Sequence, residues 1–316
     1  MPTQYDSGKA FEYALLSASY YYLSKYQDVK IENNSTLENA SVHFSLFSDL
    51  QKDNFLKAAN LAIIHITELE PRLLNSSSSN DVLFLQLASD SEGKKGDVRD
   101  VLFIRSDQNW EIGISAKNNH KAVKHSRLSD KIDFGREWLN IGCCSNYFES
   151  IKVLFDELNL LKLENQFWRN VPNKAERFYL PLLEAFKNEL IRLDTENQGK
   201  VPPKLLLYLI GNNDFYKVIK KKNKIEINAF NLNGTLNKSF HKIKSSYSVN
   251  RLKLPSRIIE FIFKPNSKNT LILTLDEGWQ ISFRIHSASS KVESSLKFDI
   301  NIIGQPQSLY SHHLNF

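Results

Sequence analysis

Cysteine is almost missing from this sequence. The 316 residues hold only two, Cys143 and Cys144, and they are adjacent. Neighbours in the chain cannot close an ordinary disulfide with each other, nor supply the spaced pairs of a zinc site. The fold is therefore expected to rest on a hydrophobic core in a reducing compartment. Also absent is any apolar run approaching the ~18 residues of a membrane helix, and the mean hydropathy is −0.37. Asp6, Lys9 and Glu12 interrupt the start of the chain where a secretory signal would need an apolar stretch. A soluble, cytoplasmic protein with no membrane attachment is the expectation. There is no internal repeat, and nothing of low complexity beyond Ser76–Ser79.

What is present suits a globular fold, with 41% hydrophobic and 24% charged residues. At ~150 residues per domain the length suggests two domains or one large elaborated one, and a change of character at a hinge-like Asn197–Pro203 divides the chain into residues 1–196 and a β-rich 197–316. The net charge of +6 is small for a nucleic-acid binder, but it is unevenly placed. Lys200 to Pro255 carries 12 Lys+Arg against 2 Asp+Glu, whereas the other residues hold 29 basic and 33 acidic groups. The whole excess lies in one segment, which suits a polyanion whose counterions are released on binding. A solvated lysine-rich surface is the competing reading, above all for Lys220-Lys221-Lys222.

Apolar spacing predicts helices over Lys9–Tyr26, capped by Ser7, and over Leu50–Leu69, stopped by Pro71. Strands are expected at Val82–Leu87, Asp100–Arg105 and Trp110–Lys117, the last two flanking a polar turn as an antiparallel hairpin. Helical spacing resumes over Asn119–Ser129, then at Gly135–Leu139, Tyr147–Leu158 and Lys174–Asp194. Seven strand-like runs follow: LLLYLIG, DFYKVI, KIEINAF, RIIEFIF, NTLILTL, WQISFRI and LKFDINI.

Three residues stand out together. Glu12 lies on an amphipathic helix, Asp100 opens a hairpin strand and Lys117 closes the next. Cutting a phosphodiester requires a nucleophilic water and a stabilised leaving oxygen. Carboxylates holding Mg²⁺ and a nearby lysine supply both, provided the first helix packs beside the hairpin.

The motifs GKAFEYALL (Gly8–Leu16), GDVRDVLFIR (Gly96–Arg105), WEIGISAKNNHKAVKHSRLS (Trp110–Ser129), DFG (Asp133–Gly135) and GNNDFYKVI (Gly211–Ile219) resemble the PD-(D/E)XK nucleases, and among them the type II restriction endonucleases of the HaeIII type. The resemblance implies an α/β (α+β) fold, a mixed sheet flanked by helices, with a β-rich C-terminal DNA-recognition region. Carried over by position, Asp100 matches the metal-binding aspartate and Lys117 the catalytic lysine. Ser115 stands where the family usually has Glu or Asp, and a hydroxyl is a poor substitute as a hard-cation ligand. Glu12 is then the candidate second carboxylate, with Glu111 the alternative and the Ala116 carbonyl a further ligand. Asp97 is a local rival to Asp100, its place before the strand favouring turn chemistry.

His120, Lys121, Lys124 and Arg127 are expected to contact phosphate from a helix after the catalytic strand. Lys217, Lys220, Arg251 and Arg257 are candidate DNA readers from the basic segment, whose lysine richness fits phosphate better than bidentate base contact. No compact set of His, Asn and Cys ligands suggests a histidine-metal nuclease. The implied function is a Mg²⁺-dependent type II restriction endonuclease of a bacterial restriction-modification system. Its partners would be double-stranded DNA, by resemblance at GGCC, and a cognate methyltransferase protecting the same site. The alternatives are a repair or recombination nuclease of the same superfamily reading DNA structure, and a noncatalytic DNA-binding protein. The oligomeric state stays open.

Overall fold

The computed structural model describes residues 2–76, 81–89, 97–118 and 124–316, with the side chains of Lys124 and His125 set aside. The chain divides into two compact units: residues 1–121, 212–252 and 308–316 form one, and residues 122–211 and 253–307 the other. The units interleave along the chain, so they do not follow the expected linear division at 196/197.

The first unit is built on a seven-stranded mixed sheet. Its strands are β1 (Val29–Ile31), β2 (Leu83–Leu87), β3 (Val101–Arg105), β4 (Trp110–Asn118), β6 (Phe215–Lys220), β7 (Lys224–Phe230) and β12 (Tyr310–Asn315), adjacent in that order. The pairs β1/β2 and β4/β6 are parallel and the rest antiparallel. The predicted hairpin is β3/β4, with Val101 opposite Ile114 and Phe103 opposite Ile112. Asn109 takes the left-handed conformation that the tight connection needs (φ 46°). Alternation along the strands sends Val101, Phe103, Ile112, Ile114, Ala116, Tyr216 and Val218 to one face. They share a core with Phe11, Ala14 and Leu15 of α1 (Gln4–Leu23) and Ala59, Ala62 and Ile63 of α3 (Asp49–Leu69).

Helix α1 starts earlier than expected. Its cap is Thr3 rather than Ser7, closed by a reciprocal capping box with Asp6 that satisfies two orphan N–H groups. A helix that the sequence reading did not mark, α2 (Ser35–Ser45), is capped by Asn34.

The second unit combines helices α4 (Phe134–Leu139), α5 (Ser145–Leu163), α6 (Leu180–Asn197) and α7 (Val201–Ile210) with an antiparallel sheet. That sheet runs in the order β5 (Lys124–Leu128), β11 (Leu296–Gly304), β10 (Gln280–His286), β9 (Thr270–Leu275) and β8 (Ile258–Phe263). Phe134, Phe186, Phe283 and Phe298 interlock in its core, with ring centroids 4.7–5.6 Å apart in adjoining pairs.

Two expectations fail here for physical reasons. LLLYLIG is the helix α7, because Pro202 and Pro203 preset its first turn and Leu205, Leu206, Leu209 and Ile210 bury one stripe at helical spacing. The helix expected over Asn119–Ser129 is strand β5 where the chain is described. Pairing with β11, from Leu128 opposite Leu296 to Lys124 opposite Ile300, overrides its local helical spacing. The mixed helix-flanked sheet and the β-rich late segments are otherwise as expected.

Candidate active site

The end of the β3/β4 hairpin brings the expected groups together. The Asp100 backbone N–H donates to the Ile114 carbonyl at 2.8 Å, and its own carbonyl accepts from Ala88 N at 3.0 Å, which fixes the residue just before β3 begins. Its carboxylate therefore faces the last residues of β4. Asp100 Oδ2 accepts the Ala116 backbone N–H at 2.6 Å and Lys117 Nζ at 3.2 Å, with Ser115 Oγ farther off at 3.4 Å. The carbonyl of a strand residue points to the same side as its N–H. The Ala116 carbonyl is thus directed to the edge where Asp100 sits, beyond the last ladder pair Val101/Ile114.

Helix α1 brings another carboxylate, Glu12, into the same neighbourhood. Gln4 Nε2 donates to the Asn118 carbonyl at 2.7 Å, tying the start of the helix to the end of β4. Glu12 is buried, 8% exposed, and its Oε2 accepts from Lys9 Nζ at 3.0 Å. Burial and then the Asp100 charge push its carboxyl up to about 7, against the pull of Lys9 and Lys117. Two carboxylates and two ammonium groups accordingly share one electrostatic neighbourhood.

One oxygen of each acid is held by the protein. Asp100 Oδ1 and Glu12 Oε1 take no hydrogen bond among the described residues. With the Ala116 carbonyl they make a donor set of hard oxygens, which fits a small divalent cation that keeps other positions for water or phosphate. Among the described residues there is no group of three or more His, Cys, Asp and Glu side chains that could hold a metal.

Glu111 lies elsewhere. It is the second residue of β4 and pairs with Arg99 Nη2 at 2.8 Å, roughly 20 Å along the strand from Lys117 at 3.3 Å per residue. Arg99 runs over Gly113, where a β-carbon would collide with its stem, and its other partner is Asp97 at 2.7 Å. Asp97 is occupied by Arg99 and by Asn213 Nδ2 at 3.0 Å, in keeping with turn chemistry. Ser115 is 2% exposed, and among the described residues its hydroxyl makes only the long contact to Asp100.

Among the expected DNA contacts, His120 and Lys121 lie outside the described residues, as does the Lys124 side chain. Arg127 is paired with Glu293 at 2.8 Å and Arg257 lies 3.9 Å from Asp276, both in the second unit. Arg251 Nε donates to the Leu232 carbonyl at 2.8 Å. Lys217 is buried beside Ser115. Lys220 is 6% exposed, its ammonium 5.2 Å from the Phe55 ring and 5.7 Å from the Phe316 ring, and burial lowers its pKa.

Lys9, which was not among the expected site residues, is a buried ion-pair partner of Glu12. The signal was its (i, i+3) spacing from Glu12, which ordinarily marks a surface pair. The adjacent cysteines are half-buried free thiols, Cys144 Sγ donating to Glu189 at 3.2 Å.

The family model described as HaeIII restriction endonuclease matches residues 8–306. The chain is similar to the type II restriction enzyme HaeIII of Haemophilus aegyptius, 43% identical over 306 residues that cover 96% of this chain and 95% of the relative. No solved structure matches.

Proposed function

Because the chain belongs to the HaeIII restriction endonuclease family and is a type II restriction endonuclease, we propose that it hydrolyses double-stranded DNA at GGCC with Mg²⁺, using Asp100, Glu12 and Lys117. The observation that carries this assignment is the convergence on Asp100 of the Ala116 N–H, the Lys117 ammonium and the Glu12 charge.

Asp100, Glu12 and the Ala116 carbonyl would hold the cation. When bound, it supplies Lewis-acid stabilisation of the charge that builds on the phosphate. Lys117 orients the attacking water and receives or relays its proton, held in place by its contact with Asp100. The Ala116 N–H fixes one Asp100 oxygen so that the other stays directed outward. Lys9 opposes the burial that raises the Glu12 pKa and so favours the ionised carboxylate that a cation ligand needs. Ser115 contributes placement of Asp100 rather than a ligand.

His120, Lys121, Lys124, Arg251 and Arg257 remain our candidates for DNA contact outside this centre. A cognate methyltransferase protecting the same site completes the proposed system, in the bacterial cytoplasm. No helix among the described residues is long and apolar enough to cross a membrane.

Digestion of plasmid DNA of known sequence with Mg²⁺, followed by mapping of the ends, tests the proposal. Fragments ending only within GGCC, abolished by EDTA, are expected. Cutting governed by nicks or branches, or by a different sequence, would overturn it.

A further inference from the structure

The register of the first unit's sheet places a basic hairpin beside the candidate active site. Lys117 lies opposite Ile219, and Asn118 opposite Lys220. Beyond Lys220 the chain turns tightly, with Lys221 N–H donating to the Lys224 carbonyl at 2.8 Å, and returns as β7 with Ile225 opposite Lys220. The tip Lys221-Lys222-Asn223-Lys224 therefore projects past the same sheet end that carries Lys117.

The three lysines of the tip and Lys220 are not equivalent. Lys220 is buried against Phe55 and Phe316. Lys221 is paired with Glu226, which Asn228 also holds at 3.0 Å. Lys222 and Lys224 are exposed, and among the described residues neither has a carboxylate partner. Many other surface cations do have one: Lys57 has Asp53, Lys152 has Asp156 and Lys268 has Glu176. The turn itself is stapled, since the Phe316 N–H donates to the Asn223 carbonyl at 3.2 Å. A braced turn holding two free ammonium groups suits a polyanion better than a mobile lysine tail does, because less freedom is lost on contact.

We propose that Lys222 and Lys224 form a phosphate clamp that grips the DNA backbone a few nucleotides from the scissile bond. This rests on the reading of Asp100, Glu12 and Lys117 as the cleavage centre. Three residues separate Ile219, level with Lys117, from Lys222, and since the chain turns after Lys220 the span is at most roughly 10 Å. With about 3.4 Å of axial rise per phosphate on one strand, the clamp sits within about three phosphates of the cut.

A second basic loop provides the control. Residues 231–252 leave β7 after Phe230, which pairs with Phe215 at the opposite end of the sheet, and expose Lys238 and Lys242. Binding of a GGCC duplex to the full chain in Ca²⁺ would be measured across a salt series. The slope of log affinity against log salt is expected to fall by ~1.8 in Lys222→Ala/Lys224→Ala, with binding ~10-fold weaker at moderate salt. Lys238→Ala/Lys242→Ala should keep the wild-type slope. An unchanged slope in the hairpin variant, or the same loss in both variants, would overturn the clamp. Thermal unfolding at the wild-type midpoint confirms that either variant is folded. If the wild-type chain cuts no duplex in Mg²⁺, the cleavage centre is wrong, and the salt slope still decides the clamp on its own.

Discussion

Lys117 Nζ lies 3.2 Å from Asp100 Oδ2, joining the end of one hairpin strand to the start of the other. Both side chains are partly open, at 29% and 22%, so the pair contributes little to stability in the way buried pairs do. Its value is positional, since it aims an ammonium and a carboxylate at one point in solvent.

Asp100→Ala and Lys117→Ala should each lower the cleavage rate by ~10² to 10⁴, the range for a lost general acid-base or charge-stabilising group. DNA binding in Ca²⁺ should persist in both, because neither change unfolds the hairpin. Single-turnover cleavage and a gel-shift titration check the two halves. Normal cleavage by either variant would remove the assigned centre.

Glu12 and Glu111 are separated by a paired comparison. Glu12→Gln removes a hard oxygen charge from the candidate cation site and should raise the Mg²⁺ concentration needed for half-maximal cutting about tenfold or more. Calorimetric Ca²⁺ binding to the DNA complex gives a second readout. Glu111 is 48% exposed and shares Arg99 with Asp97. Glu111→Gln should therefore leave cutting intact and change stability by about 0.5 kcal/mol or less. The reverse pattern would exchange their roles.

The legible parts of this protein are those whose signal is local. The β3/β4 hairpin shows in two β-branched and aromatic runs around a polar turn, and it delivered Asp100 and Lys117 at the correct ends. Glu12 needed more, because its isolated helix position says nothing of what it faces. Only the packing of Phe11, Ala14 and Leu15 into the sheet core brings it to the hairpin end. Lys124–Leu128 could not be read as a strand, since its partner β11 lies far along the chain. The run at Leu205–Ile210 is apolar enough for strand or helix, and two prolines at the start of the element decided it. The burial of Lys220 between two rings is likewise a tertiary fact, so a run of three lysines became one buried, one paired and one exposed.

Tyr216 tests the core beneath the site. It is fully buried and its hydroxyl donates to Glu70 Oε1 at 2.8 Å, while Glu70 Oε2, 3.6 Å from Arg72 Nη2, has no hydrogen-bond partner among the described residues. Burial raises the Glu70 pKa, and the Asn237 N–H, Tyr216 and Arg72 oppose it. Tyr216→Phe removes one of these supports without changing the shape of the ring. Chemical denaturation should show a loss of about 1 to 3 kcal/mol, the cost of an unsatisfied buried polar group. The cleavage rate of the folded variant should be unchanged, because the hydroxyl belongs to Glu70 rather than to Asp100. A loss below about 0.5 kcal/mol would mean that the bond to Glu70 is energetically idle.

Glu226 links the hairpin to pH. Burial opposes its ionisation, but Lys221, Asn228 and His313 hold its carboxyl down at about 2, from an ordinary 4.5. A depressed acid stabilises the folded state above its unfolded value, and that contribution disappears as pH falls through the folded value. Glu226→Gln should therefore be less stable than wild type at pH 7, by about 1 kcal/mol given partial solvent screening. The two unfolding curves should approach each other between about pH 4.5 and 2. A constant gap across that window would show that the glutamate acts through shape alone. Since Glu226 holds Lys221 at the hairpin tip, the same substitution at neutral pH should also loosen the turn that presents Lys222 and Lys224, giving faster amide hydrogen exchange at Asn223 and Lys224.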